Sequence, residues 1–136
     1  MTVSNIKLAV GMGCDRNVSL ETLETALDQA LTSIAASRVD IVCFSSIDKK
    51  NDEVSLLQLA KKEKKPLQFF TAEELKQVPV PNPSATVQKY MGTPAVSEAA
   101  ALLAANAGMQ DLLVEKHKHL GSDGKNATVS IARMER

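Results

Sequence analysis

The 136-residue sequence contains no tryptophan, one tyrosine and three phenylalanines. Platforms on which unpaired bases stack are therefore scarce, and aliphatic residues and alanine must build the core. Its 16 basic and 16 acidic residues cancel, which leaves no overall field to hold a nucleic-acid backbone or an anionic membrane surface. Two cysteines, Cys14 and Cys43, are too few and too widely spaced for a zinc motif or a disulfide framework. No metal site and no cofactor is implied. No run approaches the roughly 20 apolar residues of a bilayer span, and the opening "MTVSNIKLAV" lacks the basic flank and apolar stretch of a signal peptide. The expectation is a cytoplasmic protein with neither nucleic acid nor membrane as partner. Its length suits one domain covering residues 1–136.

What is present alternates between two periodicities. Ile6 to Val10 is a short apolar run ending at Gly11 and Gly13, which predicts a first strand followed by a loop. From Ser19, the apolar positions Leu20, Leu23, Leu27, Leu31 and Ile34 recur every three or four residues, so a helix capped by Ser19 is expected. Val39 to Ile47 is apolar on both faces and predicts a second strand covered by helices on both sides. The next helix is expected to turn Val54, Leu57 and Leu56/Ala60 inward and to end among lysines. "PLQFFT" from Pro66 predicts a third strand, and Thr71 with Glu74 has the spacing of a capping box. The proline-rich "VPVPNPS" can only be a loop. Beyond it, Thr93 and Pro94 open an Ala-rich helix, with Gly108 as its expected stop. Two strand-like runs joined by "GSDGKN" close the chain as a hairpin. The predicted fold is a three-layer α/β/α domain with a mixed, mostly parallel five-stranded sheet and a C-terminal β-hairpin.

Ligands of such sheets bind beyond the carboxyl ends of the strands, which directs attention to two segments. In "GMGCDRN", Gly11 and Gly13 permit close backbone approach just before a helix N-terminus. The third glycine of a dinucleotide fingerprint and the Gly-Lys-Ser/Thr of a P-loop are both missing, leaving another ligand or a structural turn. Cys14, beside Arg16, has the setting of an activated thiolate. It lacks an obvious base, since His117 and His119 sit on a predicted edge strand, and a buried or loop-lining thiol is the simpler alternative. "SSIDKKNDE", Ser45 to Glu53, gathers hydroxyls, carboxylates and ammonium groups, although Asp48, Asn51 or Asp52 would also serve as a helix cap. Glu98 compensates a helix dipole in the simplest view, and strand alternation would leave Lys116 exposed.

Taken together, "GMGC", "SIDKKNDE", "LAKKEKKPLQFFTAEEL", "VSEAAALLAA", "LLVEKHK" and "ATVSIAR", in this order, resemble the CobE and CbiG C-terminal domain family of cobalamin biosynthesis. The resemblance implies a three-layer α/β/α fold and a place in the corrin-ring pathway. It implies the stand-alone CobE form, binding a precorrin or cobalt-precorrin intermediate. It also implies, as an alternative, the cobalt-precorrin-5A hydrolase chemistry of the two-part CbiG protein, which opens the ring-A lactone and releases acetaldehyde. A third alternative is a non-catalytic subunit that contacts a pathway methyltransferase through the proline loop. A precorrin carries several carboxylates around a broad apolar ring, so its binder needs backbone donors and basic groups along a wide cleft. Gly11, Gly13, Cys14, Arg16, Ser46, Lys50, Glu53 and Lys116 are the expected ligand contacts. For lactone opening, Asp48 and Glu98 are the candidate catalytic carboxylates. Asp15 and Asn17 replace residues that are usually basic or glycine in the family, so Arg16 is the one basic group of that loop.

Overall fold

The computed structural model describes residues 6–80 and 95–134. Its elements run β1 (Leu8–Cys14), α1 (Leu20–Ser33), β2 (Ile41–Ile47), α2 (Val54–Glu63), β3 (Leu67–Phe70), α3 (Ala72–Lys76), α4 (Ala95–Ala105), β4 (Leu112–Leu120) and β5 (Asn126–Arg133). The five strands form one sheet in the order β3-β2-β1-β5-β4. β1 pairs in parallel with β2, and β2 with β3, whereas β1–β5 and β4–β5 are antiparallel. The mixed sheet is thus divided evenly between the two kinds of pairing, with the expected hairpin at one side.

Alternation along β1 builds the three layers. Leu8, Val10 and Met12 face α1 and α2, where they meet Leu23, Leu27, Phe44, Leu56 and Leu59. On the other face Ala9 packs with Cys43, Ala132 and residues 101–105 of α4, and Ile47 packs with Leu75 of α3 and Val96 and Ala100 of α4. The first face is built from large aliphatics and the second largely from alanine, so α4 can lie close to the sheet. Among the described residues no helix is long and apolar enough to cross a membrane.

Local signals explain most of the boundaries. Ser19 caps α1 by accepting the Thr22 N–H, and Thr71 and Glu74 form the reciprocal capping box of α3. Asp123, in the β4–β5 turn, accepts from the N–H of Ser19 and the hydroxyl of Thr22, each at 2.9 Å. Those bonds, the Ser19 N–H first, hold its carboxyl down at about 2 and tie the hairpin to the start of α1. Gly121 permits this docking, because a Cβ there would overlap the Thr22 hydroxyl.

Four expectations change. β1 does not end at Val10: "GMGC" continues the strand, Gly11 pairing with Ser45 on one side and Ser130 on the other. Strand pairing on both edges carries the chain through residues that read as a loop. In α2 the inward face is Ser55, Leu56, Leu59 and Ala60, while Val54 and Leu57 are 63% and 42% exposed. Two apolar stripes one residue apart compete there, and the one matching the sheet is buried. The left-handed residue after α4 is Asn106, φ 54°, and Gly108 is extended. β4 also carries two register shifts, one between Leu112 and Val114 and a second where Val114 pairs with Ile131 and His117 with Val129, so that Glu115 and Lys116 together oppose Ser130. The proline loop from residue 81 onward, with Thr93 and Pro94, lies outside the described residues.

Gly11 is where the α4 layer touches the sheet. A Cβ built there would run into the carbonyl oxygen of Ser97 and come within 2.7 Å of the Ala101 nitrogen. Those are backbone atoms, so only a shift of the helix could relieve the contact. Gly11→Ala is expected to destabilise the protein by about 3 kcal/mol, the upper scale of overpacking, in urea denaturation. An unchanged midpoint would mean that α4 does not lie as close as described.

Candidate functional site

The most exceptional side chain in the molecule is Glu98, in the first turn of α4. It is fully buried, and among the described residues neither carboxyl oxygen has a hydrogen-bond partner. Burial raises its pKa; Lys116 pulls it back and Glu115 pushes it further up. Leaving a buried polar group unpaired costs roughly 1–3 kcal/mol, so the position is not explained by dipole compensation, which an exposed carboxylate performs as well. Lys116 is half-buried and not turned simply to solvent. Beside this pair, the hydroxyls of Ser97 and Ser130 lie 2.7 Å apart, both fully buried, and Ser130 donates to the carbonyl of Glu115. Hydroxyls thus link α4, β5 and β4 around one acid and one amine.

A second polar assembly occupies the far side of the β1 end. The Glu53 side chain, 4% exposed, accepts from the Arg16 guanidinium at 3.2 Å and from the Asn17 N–H at 2.9 Å. Arg16 also pairs with Asp52 at 2.7 Å and donates to the Lys49 carbonyl at 2.8 Å. These bonds clamp the β1–α1 connection to the β2–α2 connection. The helix cap expected from Asp48, Asn51 or Asp52 is absent: Glu53 holds the cap position of α2, and its side chain is turned to Arg16 and Asn17. Between the two helix N-termini, Arg16, Ser19, Asp52, Glu53 and Ser55 line a cleft of about 280 Å³. That is at the small end for ligand pockets and cannot enclose a broad macrocycle.

The sequence-derived site residues therefore divide. Glu98 and Lys116 share the α4 side, whereas Arg16 and Glu53 share the clamp. Gly11 makes its close approach to α4 and has no room for a ligand. Gly13, two residues on and on the same face, has nothing among the described residues within 4 Å of where a Cβ would stand. Ser46 is buried and donates to the Met12 carbonyl at 2.7 Å, so its hydroxyl staples β2 to β1. Asp48 and Lys50 sit on a 3-10 turn after β2, both half-buried.

Cys14 ends β1 half-buried, and its thiol is pushed up to about 11, chiefly by burial, with Lys50 opposing and Glu53 assisting. The activated thiolate is thereby corrected to a protonated thiol at neutral pH. His117 bonds Gln29 of α1 at 2.6 Å, away from Cys14. Among the described residues no group of three or more His, Cys, Asp or Glu is placed to hold a metal.

Ser97 and Ser130 were not visible as site residues in the sequence. Each lies in an apolar run, "AVSEAAALL" and "ATVSIAR", where an isolated serine is an ordinary small residue. The one available signal was that both fall on positions a buried face should occupy.

The profile of the family described as "Cobalamin synthesis G C-terminus" matches residues 8–132. A cobalt-precorrin-5A hydrolase of Priestia megaterium is 34% identical over 125 residues, covering 92% of this chain and 32% of that protein. The chain thus spans about a third of that relative's length. Protein CobE of a Sinorhizobium species is 29% identical over 115 residues, covering 83% of this chain and 73% of that protein. Among solved structures, CobE, a protein from the cobalamin (vitamin B12) biosynthetic pathway, superposes with a TM-score of 0.78. It is 31% identical, and the match covers 96% of this chain and 94% of that one.

Glu98 has a measurable signature. Its folded pKa lies above its unfolded value, so as pH rises the unfolded chain releases this proton first and the folded state loses relative stability. Glu98→Gln cannot ionise. The stability of Glu98→Gln relative to the parent is therefore expected to improve between pH 4 and pH 7 in thermal melts. A difference that is constant with pH would show that Glu98 titrates as an ordinary carboxyl.

Proposed function

The chain belongs to the cobalamin synthesis G C-terminus family, and from that membership we propose that it binds a precorrin or cobalt-precorrin intermediate at the Glu98–Lys116 side of the sheet. One observation carries this assignment: a fully buried carboxyl with both oxygens unpartnered among the described residues. A group of that kind costs stability unless something completes its hydrogen bonding. A corrin precursor brings carboxylates and carbonyl groups on an apolar ring. A protonated Glu98 can donate to such an acceptor, and the Lys116 ammonium can pair with a peripheral carboxylate. Arg16 and Glu53, already paired with each other, belong to the separate clamp between the β1–α1 and β2–α2 connections.

A second reading is favoured by the similarity to a named cobalt-precorrin-5A hydrolase. In a lactone opening, the ionised Glu98 carboxylate would take the proton from the water that attacks the lactone carbonyl, Lys116 would stabilise the oxyanion, and collapse would break the ring C–O bond with Glu98 returning the proton to the departing alkoxide. Asp48, the other expected carboxylate, is on the turn after β2 and takes no part in this version. Contact with a pathway methyltransferase is a third reading. Its expected surface, the proline loop, lies outside the described residues from residue 81 on, and co-elution with that enzyme tests it.

Titration with precorrin-5 or a stable corrinoid carboxylate, followed by the visible absorption band, is the direct experiment. The parent is expected to saturate in the micromolar range, and Glu98→Gln and Lys116→Met each to weaken binding about tenfold, equivalent to roughly 1.4 kcal/mol. No spectral change at high micromolar ligand overturns the binding proposal. Acetaldehyde release from the lactone substrate, lost in Glu98→Gln, would move the assignment to the hydrolase reading.

A further inference from the structure

We propose that Ser130 is a positioning residue for the ligand site, its hydroxyl holding a bulge in β4 that turns Lys116 toward Glu98. The inference rests on the assignment of that pair to the ligand site. The register shows why a bulge is needed. Val114 packs among the residues under α1 and α2. Under strict alternation Lys116, two residues later, would point to that same face. It instead lies opposite Ser130, whose hydroxyl meets Ser97 of α4, and so shares the α4 side with Glu98.

The extra residue between Val114 and His117 makes the difference. Glu115 and Lys116 both oppose Ser130, and His117 returns to the α1 side, where it meets Gln29. Bulges re-aim side chains in this way, at the cost of interrupting the ladder of backbone hydrogen bonds. Here the Ser130 hydroxyl donates to the carbonyl of Glu115, inside the bulge. Its single proton is committed there, so the 2.7 Å contact with Ser97 is donated by the Ser97 hydroxyl. The order Ser97, Ser130, Glu115 carbonyl runs from the first turn of α4, one residue before Glu98, to the residue before Lys116. Both serines are fully buried, so bulk water cannot replace the link. Among the described residues, the charged groups that act on Glu98 are Lys116 and Glu115, both in the bulge.

The test follows the Glu98 carboxyl by carbon-detected NMR titration of the full chain. Ser130→Ala should relax the bulge, withdraw Lys116 and raise the Glu98 midpoint by about one pH unit, a tenfold change in proton affinity. Lys116→Met should produce a similar rise, and adding Ser130→Ala to it should change nothing further. If Ser130→Ala fails to fold, Ser130→Cys, which keeps the volume with a weak donor, carries the same comparison. An unchanged midpoint in the serine variant, or a shift that adds in full to that of Lys116→Met, overturns the positioning role. Corrinoid titration of the same proteins separates the two proposals. A coupled midpoint shift with no corrinoid binding in the parent would sink the ligand assignment and leave Ser130's role standing, whereas weakened binding without a midpoint shift would do the opposite.

Discussion

The arrangement on one side of this sheet depends on how near α4 can lie to β1. A side chain at position 11 would occupy the space of the Ser97 carbonyl, and the alanines at 9, 101, 105 and 132 continue the same small-residue surface along the contact. Close approach brings the first turn of α4 down onto the sheet, and with it the hydroxyl of Ser97 and the carboxyl of Glu98. Were the helix to ride higher, on larger side chains, Ser97 would not reach Ser130 and Glu98 would stand in water with an ordinary acidity. The glycine that looked like a ligand contact thus acts one step earlier, as the condition for a buried acid.

The two faces of the sheet have different chemistry. Under α1 and α2 the packing is aliphatic, and the polar groups at its rim satisfy one another: Glu53 with Arg16 and Asn17, Asp123 with Ser19 and Thr22. Under α4 a carboxyl is buried with no hydrogen-bond partner among the described residues. Groups of the first kind hold loops in place. A group of the second kind costs stability and makes sense where another molecule completes it, which is the physical ground for the ligand site proposed on the α4 side. The Arg16 clamp steadies the end of β1.

Much of the fold was legible because local and long-range signals agreed. The Ser19 cap, the Thr71–Glu74 box, the α1 stripe and the hairpin turn each name an element that is present. What sequence could not supply was tertiary. Gly11 reads as a loop residue until strands on both sides pair with it. The buried face of α2 depends on which of two neighbouring apolar stripes meets Phe44 and Met12. The site suffered most at Lys116, because a bulge is an exception to alternation, and its cause, the Ser130 hydroxyl, is 14 residues away in sequence. The family resemblance identified Glu98 and Lys116 as residues to watch, but only geometry joined them.

The proposed meeting point of a corrin precursor with the protein is Glu98 and Lys116, not the cleft between α1 and α2. Chemical-shift mapping with selectively labelled glutamate carboxyls and lysine amines, on addition of a corrinoid carboxylate, decides between them. The account predicts that the Glu98 carboxyl and the Lys116 amine move most while the Glu53 carboxyl holds its position. Perturbations centred on Glu53 with Glu98 unmoved would contradict it.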